Sequence, residues 1–202
     1  MMLYRRSLLA AAFRAPLSAP RAATPAAPAG DALAARLREG GVVIALRHAL
    51  APGTFDPPGF RLGECGTQRN LSDEGRTQAR RIGRWFAERG LVPARVRSSP
   101  WCRCIDTATL AFGRAEPWAA LGSPRGTAEA TRATQRGALR TALAALARRR
   151  NRGRPSSPFE AWVTHQFVLR DLTGQSTDSG EALLLASDAG GAVRLLDRAV
   201  LH

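Results

Sequence analysis

Between Val42 and Leu46 the chain carries five consecutive apolar residues and then, with no spacer, Arg47 and His48. An unbroken apolar run of this length predicts a strand buried on both faces, as strands of parallel sheets are. Another strand is predicted in "FEAWVTHQ", which again ends in a histidine, His165. A shorter strand is predicted in "ARVRSSP", stopping at Ser98-Ser99-Pro100, and "GEALLLASD" and "AVRLLDRAV" are the last strand candidates. Helical spacing fills the intervals. "DALAARLREGG" predicts a helix with Asp31 as cap and Gly40-Gly41 as stop. "LSDEGRTQARRIGRWFAERG" has Ser72 or Asp73 as cap and Ala79, Ile82 and Phe86 on one face, with Gly90 and Pro93 beyond its end. "WCRCIDTATLAFG" closes at Gly113, and Thr127 to Arg150 carries Leu139, Leu143 and Leu146. There is no internal repeat.

Strands alternating with helices predict an α/β fold with a largely parallel sheet. In such sheets ligands bind at the carboxyl ends of the strands. Arg47-His48, the segment from Ser98 to Arg103, and Thr164-His165 would therefore converge at one edge. Two further segments are predicted as loops: Pro52 to Gly63, rich in Pro and Gly, and the charged "RRRNRGRPSSP".

Composition and the chain's ends change this picture at four points. The chain has 202 residues and 45% apolar content, enough for one domain with a substantial core. A net charge of +14 would ordinarily suggest nucleic acid, but every basic residue counted is Arg, and the Arg are scattered without interleaved aromatics. Nucleic acid is therefore not an expected partner. "MMLYRRSLLAAAF", followed by a Pro/Ala stretch, reads as an export signal or disordered leader over residues 1–30, leaving 31–202 as the folded domain. Export to the periplasm is the expectation, and no run approaches the roughly 20 apolar residues of a membrane span. Cys65, Cys102 and Cys104 allow at most one disulfide, from Cys65 to either of the others, or three buried thiols.

Two Arg and two His at three strand ends make a cationic site with no acidic cluster to hold a metal, and no cofactor is implied. Such a site suits a phosphate, because guanidinium groups bind its oxygens bidentately and an imidazole serves as donor or nucleophile. Taken singly, Arg47-His48 is an ordinary surface pair, Arg103 one more helix-surface Arg and His165 a satisfied core histidine. Taken in order, "LRHA", "LSDEGRTQA", "SSPWCRCIDTA", "VTHQ" and "SGEALLL" resemble the histidine phosphatase (phosphoglycerate-mutase-like) superfamily over residues 40–190. The resemblance implies a three-layer sandwich, a largely parallel central sheet flanked by helices.

The resemblance also implies a set of roles. His48 is the nucleophile that becomes a phosphohistidine, while Arg47, Arg103 and His165 clamp the phosphate oxygens without a metal. Ser99, Arg103, Thr107 and Ala108 match the family's second pattern, and Ala49 stands where Gly is usual. Glu129, early in the long helix, lies roughly where many members place the general acid and is taken as catalytic. Glu116 is the strand-associated alternative, and members acting on phosphohistidine dispense with the acid. Gly180-Glu181 is read as a turn before a strand, with Glu181 bracing the site. The implied partner is a phosphorylated small molecule or envelope component, such as an envelope sugar phosphate. The competing functions are a phosphohistidine phosphatase and a silent phosphate-binding member; a mutase is not expected in so short a chain.

Overall fold

The computed structural model describes residues 29–125, 127–151 and 159–201. The expected leader over 1–30 lies outside them except for Ala29 and Gly30, which open the first helix, and most of the charged loop after Arg150 also lies outside. The chain runs α1 (Ala29–Glu39), β1 (Val43–Arg47), α2 (Asp73–Glu88), β2 (Arg95–Ser98), α3 (Cys102–Phe112), β3 (Glu116–Pro117), α4 (Glu129–Asn151), β4 (Glu160–Thr164), α5 (Gln166–Thr173), β5 (Glu181–Ser187) and β6 (Val193–Val200). Asp31 sits in the first turn of α1 rather than at its cap.

Six strands form one sheet in the order β3-β2-β4-β1-β5-β6. β3, β2, β4 and β1 are mutually parallel, whereas β5 runs antiparallel to β1 and β6 antiparallel to β5. The reversal has a simple cause. α5, which the sequence patterns did not predict, has 8 residues and spans only about 12 Å. It starts at the carboxyl edge and cannot carry the chain back across the sheet, so β5 re-enters at that same edge and runs the other way.

Alternation within the strands divides the core into two faces. Ile44, Leu46, Val96, Ala161, Val163 and Leu184 pack with Leu33 and Leu37 of α1, Ile82, Trp85 and Phe86 of α2, and Ala108 of α3. Val43, Ala45, Trp162, Leu183 and Leu185 pack on the other side with Leu139, Leu143 and Leu146 of α4 and Leu169 of α5. This is the three-layer arrangement that the sequence resemblance implied. Among the described residues no helix is long and apolar enough to cross a membrane.

The N-terminus of α2 is fitted tightly to the segment that follows β1. Ser72 caps the helix, its side chain accepting from the Gly75 N–H, and the Ser72 N–H donates to Leu50 O at 3.2 Å. A Cβ on Gly75 would lie 1.9 Å from Leu50 O. One turn on, Gln78 accepts from Leu50 N at 2.9 Å and donates to Ser179 O at 2.8 Å. The helix thereby holds both the segment after β1 and the loop before β5.

Gly75→Ala is expected to cost about 2–3 kcal/mol, since backbone rather than a flexible side chain must give way. Gly137→Ala, at an exposed position in α4 where a Cβ meets nothing within 4 Å, is expected to stabilise by up to about 1 kcal/mol. Urea unfolding of the two variants checks both signs.

Candidate active site

Three of the four parallel strands, β1, β2 and β4, deliver polar groups to the carboxyl edge. β1 and β4 pair with Arg47 opposite Thr164, and β2 and β4 with Ser98 opposite Val163. The ladder runs one residue further on each side, with His48 N donating to Thr164 O at 2.9 Å and Ser99 N to Val163 O at 2.8 Å. His48, Ser99 and His165 therefore leave the sheet at the same level. The His48 and His165 ring centroids are 5.6 Å apart.

The His48 ring is oriented by its neighbour. Nδ1 lies 2.8 Å from Ala49 O, and because a carbonyl only accepts, Nδ1 carries the proton. The lone pair is left on Nε2, 3.4 Å from an Nη of Arg69. Ala49 is held in turn, its N–H donating to Thr107 Oγ1, which donates to Arg103 O. The Gly180 N–H reaches the carbonyls of both Arg47 and His48 from the opposite side. Burial pushes the His48 pKa down to about 3; the bond to Ala49 opposes this, and the charges of Arg103, Arg69 and Arg47 add to the lowering. His48 is a neutral base throughout the ordinary pH range.

His165 is also buried and held well below its usual pKa, first by desolvation and then by His48 and the three arginines. Its Nε2 lies 2.8 Å from Ser99 Oγ and its Nδ1 3.4 Å from an Nη of Arg103. Arg47 donates to Thr177 O at 2.7 Å, and Glu181 holds that same loop by accepting from the Asp178 N–H and from Arg198.

These groups line a cleft of about 350 Å³, with Arg47, Arg69, Arg103 and Arg125 as its cations and Asp56 as its one acid among the described residues. Phe55, Phe60, Trp101 and Phe167 form an aromatic rim, and the Arg125 guanidinium lies 3.4 Å over the Phe55 ring. Among the described residues there is no group of three or more His, Cys, Asp or Glu placed to hold a metal ion.

The structure brings His48, His165, Arg47 and Arg103 together, and it does not bring Glu129. That residue lies on the exposed first turn of α4, paired with Arg136 at 2.8 Å and Arg132 at 3.6 Å, and does not line the cleft. Those ion pairs lower its pKa, so it is an ionised surface carboxylate rather than an acid. Glu116 is likewise outside, bonded to Arg95 across the β2–β3 edge. The resemblance placed the acid early in the long helix, but here the loop preceding α4 lines the cleft, through Ser123 and Arg125, and Glu129 does not.

Two site residues escaped the sequence patterns. Arg69, one of 30 basic residues, carries no distinguishing mark beyond its place just before the Leu71-Ser72 helix start. Asp56 is the single carboxylate in the Pro52–Gly63 loop, and that solitary charge is the one local signal that could have found it. Its carboxylate accepts from both Nη atoms of Arg103 at 2.7 and 3.2 Å, from Arg69 N at 3.0 Å and from Trp101 Nε1 at 3.2 Å. A disulfide between Cys65 and Cys102 joins this loop region to the first residue of α3, next to Arg103. Of the two pairings open in the sequence, this is the one formed. Cys104 is a buried thiol, its pKa pushed up to about 12 by burial, and is no nucleophile.

Residues 62–122 match the family model of the histidine phosphatase superfamily (branch 1). Solved structures share the fold. The protein histidine phosphatase SixA complexed with tungstate superposes with a TM-score of 0.52 at 17% identity, covering 79% of this chain and 96% of its own. A phosphoserine phosphatase mutant from Entamoeba histolytica in complex with phosphoserine gives 0.54 at 14%, covering 78% and 95%. A mycobacterial glucosyl-3-phosphoglycerate phosphatase gives 0.54 at 15%, covering 80% and 99%. No curated protein sequence matches the chain.

The two buried imidazoles make the fold acid-sensitive. Below about pH 6.5 the unfolded chain takes up protons on both histidines that the folded chain refuses, so stability is lost as pH falls from there towards the folded value of about 3 for His48. Tm is expected to decline between pH 7 and 5, and the decline to flatten in a His48→Gln/His165→Gln double variant. Equal slopes would mean that the imidazoles titrate freely in the fold.

Proposed function

We propose that this chain is a phosphomonoester hydrolase of the histidine phosphatase superfamily, acting through a phosphohistidine on His48. The observation that carries this is the His48 ring. Its Nδ1 proton is tied to Ala49 O, and its Nε2 lone pair is directed beside Arg69 in a cleft lined by four guanidinium groups.

In the first step Nε2 attacks phosphorus as the bond to the leaving oxygen breaks, and the leaving oxygen takes a proton. In the second, water attacks the phosphohistidine, the N–P bond breaks, and inorganic phosphate leaves with the electron pair returned to Nε2. Arg47, Arg69 and Arg103 supply fixed positive donors to the equatorial oxygens, where charge spreads in the transition state. His165 joins them by a tautomer change, with Ser99 O–H donating to Nε2 and Nδ1–H turned to the phosphoryl group; a hydroxyl serves either way. The charge is balanced by guanidinium groups, so the reaction needs no metal.

The aromatic rim is apolar surface of the kind that packs on the C–H face of a sugar, which supports an envelope sugar phosphate as substrate. A basic start with an apolar run, and a disulfide of the kind kept in oxidising compartments, support export to the periplasm. The absence of Glu129 from the cleft favours one second reading, a phosphohistidine phosphatase, whose leaving imidazole needs less acid assistance.

The deciding experiment is hydrolysis of p-nitrophenyl phosphate with EDTA present. Wild type is expected to turn over and form a stoichiometric, acid-labile phosphoryl adduct, while His48→Ala does neither. Full activity in His48→Ala overturns the assignment, and loss of wild-type activity in EDTA overturns metal independence. Arg69→Gln is expected to lower kcat/KM about 10²–10³-fold, as loss of a transition-state donor does. Glu129→Gln is expected to stay within about twofold of wild type, as an exposed residue outside the cleft.

A further inference from the structure

The phosphohistidine reaction needs a proton for the leaving oxygen, and Glu129 is not in the cleft to give it. From the position of the one carboxylic acid that lines that cleft among the described residues, and resting on the phosphohistidine reading, we infer that Asp56 is the proton donor of the first step and the base of the second.

Three observations place it there. Its side chain is only 11% exposed and lines the cleft, and its carboxylate occupies both Nη atoms of Arg103, the donors that a phosphoryl oxygen would also use. Arg103 Nη2 is shared between Asp56 Oδ2 at 3.2 Å and His165 Nδ1 at 3.4 Å, which puts Asp56 in the same hydrogen-bonded set as the candidate clamp. The loop that carries it is fixed from both ends. Arg69 donates to the carbonyls of Ala51 and Gly53, and the Cys65–Cys102 bridge holds the far side to α3. An acid on a loop tied in this way keeps its position through a catalytic cycle.

Charge supplies the proton cycle. In the free protein burial works to raise the Asp56 pKa, but the bonds from Arg103, the Arg69 backbone and Trp101 outweigh it, and the carboxylate is ionised. A phosphoryl group entering the cleft competes for the two Arg103 N–H bonds and brings negative charge beside Asp56. Both changes favour its protonated form. The proton comes with a substrate bound as its monoanion or from solvent. As His48 Nε2 forms the N–P bond, the P–O pair of the leaving group takes the Asp56 proton and an alcohol departs. Asp56, now a carboxylate, takes a proton from water while the water oxygen bonds to phosphorus, and the N–P pair returns to His48. Asp56 ends protonated, ready for release of phosphate.

The test is leaving-group dependence in the disulfide-intact protein. Phenyl phosphate expels a phenol of pKa about 10 and depends on an acid, whereas p-nitrophenyl phosphate expels a weak base and scarcely does. Asp56→Asn is expected to lower kcat/KM for phenyl phosphate by about 10²-fold or more and for p-nitrophenyl phosphate by less than about tenfold. Equal losses on the two esters, or no loss on either, would assign Asp56 a structural part and overturn the inference. Should Asp56→Asn fail to fold, wild type alone tests the same point: with the acid in place the two esters differ by less than about 10²-fold, and a wider gap overturns the inference. Wild type inert to both esters, or His48→Ala as active as wild type, removes the phosphohistidine reading itself and the inference with it.

Discussion

His48 donates its backbone N–H to Thr164 O one step beyond the last paired residues of β1 and β4, and the arrangement of the site hangs on that register. Side chains alternate faces along a strand, so a slip of one residue would send Ile44 and Leu46 to the face now occupied by Val43 and Ala45. Both faces of β1 are fully buried, with different partners on each, and the register is fixed by packing on two sides at once. That redundancy lets the strand end in an arginine and a histidine. The stability comes from the five apolar residues Val42 to Leu46, and the polar pair is carried by them.

Beyond the strand end, a different class of interaction takes over. Ala49, Leu50 and Gly180 are each held by backbone hydrogen bonds to groups on other elements: Thr107, Gln78, and the carbonyls of Arg47 and His48. Small residues make this possible. Gly75 admits the Leu50 carbonyl, and at Gly180, where φ is +76°, a Cβ would collide with the Gln78 amide at 2.6 Å. The result is a rigid floor beneath the imidazole, which fixes the tautomer before any ligand arrives.

Above that floor the cleft concentrates positive charge in a poorly solvated space. Arg47 and Arg69 are about half-buried and Arg103 almost wholly so, and each lowers the proton affinity of both histidines. Asp56 partly offsets this field by binding Arg103. Burial comes first in keeping protons off His48, and the guanidinium field adds to it. The same burial strengthens the positive potential in the cleft, so the neutral imidazole and the concentrated charge share one cause.

The sequence by itself determined what local pattern determines. An uninterrupted apolar run identified β1, a second strand pattern ending in a histidine identified β4, helical spacing identified α1 to α4, and the glycines after α2 and α3 marked their ends. Because Arg47, His48, Ser99, Arg103 and His165 sit at or just past strand ends, their meeting at one edge was legible from the alternation of elements alone. The reversal at β5 and the short α5 were not legible, since a chain that returns along the same edge leaves no periodic mark. Nor were Asp56, Arg69 and the exclusion of Glu129, because loop and helix-start residues have no periodicity to place them. Their positions follow from packing of the Pro52–Gly63 loop, tied by Arg69 and the Cys65–Cys102 bridge, and from the ion pairs that hold Glu129 to α4. Tertiary structure decided these because they depend on distances between segments far apart in the chain, a quantity that no local pattern encodes.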